Sequence, residues 1–119
     1  MSDTKWRKLF GLLDAEGLGI CQVRIQFLEV SEPKLMALPT IGALHTPHPY
    51  IDTIEFGPVE FRAIEWLEVP AISRFPRPNN VPPREVVHDL DRIEAHLASS
   101  GLYPLRRSGE SLRILGYER

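Results

Sequence analysis

At 119 residues, with 43% hydrophobic and 25% charged side chains, the chain has the size and composition of one soluble domain whose core needs no disulfide or metal staple. A formal net charge of -2 gives no general attraction to nucleic acid or to an anionic membrane. The single cysteine, Cys21, excludes an intrachain disulfide and fits a reducing, cytoplasmic setting.

The N-terminus carries Lys5, Arg7 and Lys8, but the apolar run after them covers only Leu9 to Leu13. That is too short for a signal-peptide core or a membrane span. Instead, Ser2 or Asp3 can cap a helix with Trp6, Leu9, Phe10 and Leu13 as its apolar stripe, ended by Gly17 and Gly19. Ile20 to Val30 then alternates, with Cys21, Val23, Ile25 and Phe27 on one face and Gln22, Arg24 and Gln26 on the other. This is the pattern of a half-buried strand with one wet face, which favours antiparallel pairing. Ser31-Glu32-Pro33 reads as a turn, and a further strand is expected near Thr40 to His45, with Pro39 holding it off the sheet centre.

Tyr50 to Phe56 alternates again, and Gly57-Pro58 is expected to turn it back into Val59 to Val69 as a hairpin. Ser73 to Pro83, with four prolines and Asn79-Asn80, reads as a stiffened loop. A second helix is expected from Pro83, with Glu85 near its positive end and Val86, Leu90, Ile93 and Leu97 as its buried stripe. Gly101 would supply a left-handed cap with Leu102 touching Leu97. Tyr103 to Arg107 and Leu112 to Tyr117 close the chain as a hairpin about Ser108-Gly109-Glu110. The order predicts a single α+β domain over residues 1–119: a mainly antiparallel sheet of five or six strands with two helices on one face.

The segment Val59 to Val69 holds the sharpest anomaly. Run straight, it points Val59, Phe61, Ala63, Leu67 and Val69 to one side with Glu65 among them. A carboxylate there costs several kcal/mol unless it is paired or hydrogen-bonded, as an order of magnitude. Glu65 is therefore a candidate acid/base, unless an arginine such as Arg24, Arg62 or Arg113 pairs with it inside, or a bulge near Ala63-Ile64 shifts the register. The bulge is the favoured reading; it would turn Ile64 and Trp66 inward and put Glu65 in water.

The loop Arg74 to Arg84 is the candidate recognition element. Arg74, Arg77 and Arg84 offer planar donors for carboxylate or phosphate, Phe75 an anchor, and Asn79 and Asn80 turn-forming side chains. His45 and His48 are spaced to share a metal from a loop, although a complete set needs further ligands. His88, Arg92 and His96 fall on the helix face away from the apolar stripe, where the guanidinium opposes cation binding.

Several chemistries are excluded by pattern. Gly17-Leu18-Gly19 lacks the third glycine of a phosphate cradle, no serine sits in a nucleophile elbow, and Cys21 falls on an apolar strand face where a thiol is ordinarily inert packing. The aromatics do not interleave with basic residues as an RNA-binding sheet requires.

Trp6 with Leu9-Phe10, the run Glu60 to Val69, Asn79-Asn80 before Pro82-Pro83-Arg84, Asp89-Leu90, Gly101 to Leu105 and Leu112 to Tyr117 together give a resemblance. The chain resembles a family of small bacterial proteins catalogued as a domain of unknown function. The resemblance implies a bacterial cytoplasmic domain and supplies no catalytic residues.

Two functional readings follow. The first is a non-enzymatic interaction protein, regulatory or of an immunity type, that meets another protein through its acidic middle or the Arg74 to Arg84 loop. It needs no cofactor and no nucleic-acid or membrane partner, and pairing of sheet edges into a homodimer stays open. The alternative is a small-molecule binder or hydrolytic enzyme with Glu65 as its acid/base and Asp52, His45 or His48 nearby.

Overall fold

The computed structural model describes residues 1–15, 17–40 and 49–117. Its first element is the capped helix that the sequence predicts. Helix α1 spans Asp3–Leu13, the Ser2 hydroxyl accepts from the Lys5 amide, and the buried residues are Trp6, Leu9, Phe10 and Leu13. Asp14 ends the helix, and the left-handed Gly17 and Gly19 belong to the connection that follows.

Strands β1 (Gln22–Phe27), β2 (Lys34–Ala37), β5 (Ile64–Pro70), β8 (Leu105–Arg107) and β9 (Ser111–Leu115) form one antiparallel sheet in the order β2-β1-β5-β9-β8. Ile25 is directly opposite Leu67, and Leu67 is opposite Ile114; Val69 faces Leu112. These side chains share one face, fully buried with Val23, against α1 and against Leu90, Ile93 and Leu97 of helix α2 (Leu90–Ser100). The fold is α+β, as expected.

Two small antiparallel ribbons complete it: β3 (Tyr50–Thr53) with β4 (Gly57–Glu60), and β6 (Ile72–Phe75) with β7 (Arg84–Val87). The first places the hairpin turn earlier than expected. Gly57 and Pro58 already belong to β4, opposite Thr53 and Asp52. The turn is closed by Thr53, whose hydroxyl accepts from Phe56 N and donates to Gly57 O, each at 3.0 Å.

Other boundaries also move, each for a local reason. The described strand after β1 is Lys34–Ala37; the strand expected near Thr40 to His45 falls on residues 41–45, which lie outside the described part of the chain. On β2, Leu35 is exposed and Met36 buried. Ser73 to Phe75, expected in a loop, are in β6, and the expected first turn of α2 is instead β7. The helix begins after Asp89, whose carboxylate caps it by accepting from Arg92 N at 3.1 Å. β-Branched Val86 and Val87 suit the strand. At the other end Gly101 is extended rather than left-handed, and Leu102 stands 88% exposed, away from Leu97.

Candidate functional site

The Glu65 anomaly resolves into a kink and a bulge. Phe61–Ala63 forms a single 3-10 turn between β4 and β5. On β5, Ile64 pairs with Phe27 and Trp66 with Gln26, so Glu65 is the extra residue that opposes no partner on β1. Ile64 is fully buried, Glu65 is half-buried, and the strand resumes its alternation with Leu67 inward. The Glu65 carbonyl accepts from Gly116 N at 2.7 Å, a close approach in which a Cβ on residue 116 would meet Ile64 O at 2.3 Å. The expected kink is present. The expectation that Trp66 turns into the core is corrected, because the bulge places it on the opposite face.

Gln26, expected on the wet face, is 8% exposed, and its amide donates to the carbonyls of Phe27 and Val30.

The buried carboxylate of β5 is Glu68, 5% exposed, on the sheet face away from the helices. Register builds a row across that face: Leu35 opposite Arg24, Arg24 opposite Glu68, Glu68 opposite Arg113, and Arg113 opposite Arg106. Arg113 holds Glu68 through Nε and Nη2, both 3.0 Å from Oε2. Arg24 reaches the other carboxylate oxygen at 3.7 Å with 46% of its side chain exposed. The Arg113 guanidinium also lies 3.8 Å from the centroid of the Trp66 ring, so indole and carboxylate hold it from two directions. A carboxylate this buried is tolerable because it is hydrogen-bonded and faces two cations.

Above this row runs an open groove of about 770 Å³ whose other wall is the β6–β7 arm. Ile72, Ser73 and Arg74 line it from β6, and β7 contributes no lining residue. Among the described residues β6 pairs only with β7, so its other edge is on the side that lines the groove. Its charged lining is Arg24, Arg74 and Arg113 against Glu68 and Glu110, flanked by the exposed apolar side chains of Leu35 and Ile72. The Ser73 hydroxyl is buried here with no hydrogen-bond partner among the described residues.

The arm carries the recognition residues expected from the sequence, in a different conformation. Arg74 pairs with Glu85 across the ribbon at 3.1 Å, and Arg84 lies 5.8 Å from the centroid of the Phe75 ring, so Phe75 is half-covered. Arg77, Asn79 and Asn80 are exposed at the tip, where both asparagines adopt left-handed conformations (φ 60 and 61), which asparagine tolerates. Of the six, Arg74 alone lines the groove.

A second cluster sits where the arm leaves the sheet. His88, expected on the exposed face of α2, precedes that helix and is 3% exposed. Its Nδ1 lies 2.7 Å from the Pro70 carbonyl, and its Nε2 lies 3.5 Å from Cys21 Sγ and 3.4 Å from Cys21 N. Its own amide donates to Ala71 O at 2.7 Å. Arg92, also expected on that face, donates to Gly17 O at 2.9 Å, so it tethers the helix to the loop after α1.

A family model matches residues 1–119, the whole chain. The chain belongs to this family of unknown function, DUF6678. No curated protein and no solved structure matches it. Membership in DUF6678 thus carries no activity, and the chemistry has to be read from the residues.

Glu65 lines neither the groove nor a second cleft of about 620 Å³ bounded by Met1, Lys5, Leu102 and Tyr103. His45 and His48 lie outside the described residues; among the described ones, no three His, Cys, Asp or Glu side chains are grouped to hold a metal. No described helix is long and apolar enough to cross a membrane. Sequence reasoning missed Glu68 as the buried acid and the Cys21–His88 pair. For Glu68 a signal existed: Arg24 and Arg113 each sit at a wet-face position flanked by apolar residues, as Glu68 does.

Proposed function

We propose that this protein is a non-enzymatic interaction protein that receives an acidic, extended segment of another protein in the groove between the β6–β7 arm and the outer sheet face. The observation that carries this is the groove lining, where Arg113 already holds Glu68 and leaves Arg24 loosely engaged beside the exposed Leu35 and Ile72. Charge complementarity then selects an acidic partner. An extended segment fits because the β6 edge beside the groove offers backbone groups for strand addition, with Leu35 and Ile72 as apolar contacts. Arg24 is the cation most available to such a segment, since its contact with Glu68 is long and nearly half of its side chain is exposed.

A regulatory or immunity-type role in a bacterial cytoplasm is the setting we propose, one that suits a chain with a single cysteine. The net charge gives no general drive toward nucleic acid or membrane.

Trp66 reports on the site, because it lies beneath Arg113 while Trp6 is sealed in the core at 1% exposure. Titration with a panel of extended peptides rich in Asp and Glu should change Trp66 emission, whereas lysine-rich counterparts should not. Arg24→Glu should weaken the best peptide at least about tenfold, equivalent to about 1.4 kcal/mol. Absence of acidic-peptide binding, or binding indifferent to Arg24→Glu, would overturn the proposal.

A further inference from the structure

The Cys21–His88 pair has the layout of an activated thiol, and its tautomer follows from the partners. A carbonyl oxygen can only accept, so at 2.7 Å from Pro70 O the Nδ1 of His88 must carry the hydrogen. In the neutral ring Nε2 is then a bare acceptor. The Cys21 backbone amide, which can only donate, approaches that same nitrogen at 3.4 Å, and the thiol at 3.5 Å. A sulfur nucleophile, a nitrogen base within reach of it, and a third group fixing the base's orientation are the three parts that nucleophile activation requires. The base is 3% exposed and held by its own backbone as well, through His88 N to Ala71 O. Cys21 is half-buried and immediately precedes β1.

We propose that Cys21 is a modification site for low-molecular-weight disulfides, with His88 as its general base. In the step, the Cys21 S–H proton passes to His88 Nε2 and the sulfur attacks one sulfur of the disulfide. The old S–S bond breaks, a Cys21 mixed disulfide forms, and the departing thiolate takes the proton back from His88. One thiol and one disulfide enter, and one of each leaves.

The modified sulfur lies against the ring that bonds Pro70, the residue at the end of β5 from which the arm departs. Cys21 itself is at the root of the arm and is not a residue of the groove lining.

The test uses the whole protein without any peptide, so its result is independent of the proposed binding function. The single cysteine makes the stoichiometry unambiguous. Reaction with dithiodipyridine is followed by thione release at neutral pH, for the native protein and for the chain unfolded in guanidinium chloride. Native Cys21 should react at least about tenfold faster than the unfolded chain, in line with general-base assistance. His88→Gln, which keeps a hydrogen-bonding side chain but cannot take up the proton, should lose that advantage while still melting cooperatively. A native rate equal to or below the unfolded rate overturns the proposal, as does a folded His88→Gln variant reacting like the parent. Where His88→Gln does not fold, the native-against-unfolded comparison decides alone.

Discussion

Leu67 and Glu68 are consecutive residues of one central strand, and they meet opposite environments. Leu67 is fully buried between Ile25 and Ile114 under the helices. Glu68 is nearly as buried, but between Arg24 and Arg113 on the other face. The first face is held by apolar area removed from water, which is non-directional and unaffected by moderate salt. The second is held by charges whose desolvation has already offset much of their attraction. Burial alone therefore does not distinguish an apolar, stability-determining face from a charged one. What is buried does.

The comparison predicts unequal responses to truncation. Leu67→Ala should cost about 3 kcal/mol, the mid-range for a buried leucine whose site cannot fully collapse. The loss should appear as a lower denaturant midpoint that is the same at low and high salt. A cost below about 1 kcal/mol would mean that the helix face is loosely packed.

On the charged face the two arginines should separate. Arg113→Ala removes both 3.0 Å contacts to Glu68 and uncovers Trp66. It should cost about 2 kcal/mol, less than a fully buried pair because 38% of the Arg113 side chain is exposed. Trp66 emission should shift to the red. Arg24→Ala should cost only about 0.5 kcal/mol, and less still at high salt, as an exposed partner at 3.7 Å implies. Equal costs for the two would show that Glu68 is shared evenly, and would remove the reason for treating Arg24 as the cation available to a partner.

These contrasts also show which parts of the molecule could be read from its sequence. The cap and the four-residue stripe of helix α1 were legible because both are local, whereas its end at Asp14, ahead of Gly17 and Gly19, was not. The start of α2 was not, because Val86 continues the helical spacing of Leu90 and Ile93 yet pairs with Ser73 in the arm. A local capping bond at Asp89 settles what spacing leaves ambiguous. Glu65 drew attention to the right strand and the wrong carboxylate. One inserted residue at the bulge removes Glu65 from the ladder, and Glu68 becomes the buried acid only once β5 lies between β1 and β9. Strand order is a non-local property, and no periodicity within β5 encodes it. The Cys21–His88 pair depends on the same kind of information, since 67 positions separate its members.

Neither side of the sheet satisfies every buried polar atom, since the Ser73 hydroxyl beside the groove has no hydrogen-bond partner among the described residues. On the outer face Glu68 is fully engaged, whereas on the helix side the Tyr103 hydroxyl is buried without a hydrogen-bond partner among the described residues. Burial raises the Tyr103 pKa from its ordinary 10.0, because the phenolate would lose more hydration than the phenol does. The folded state thus holds its phenol proton more tightly than the unfolded chain. The associated stability is complete below the unfolded pKa and declines as pH climbs past 10.0 through the raised value. Tyr103→Phe removes both the unpaired hydroxyl and this linkage. It should be neutral to about 1 kcal/mol stabilising near neutral pH, and its denaturation midpoint should fall less steeply than the parent's above pH 10.0. A variant destabilised at neutral pH with an unchanged alkaline limb would mean that the hydroxyl is satisfied by water.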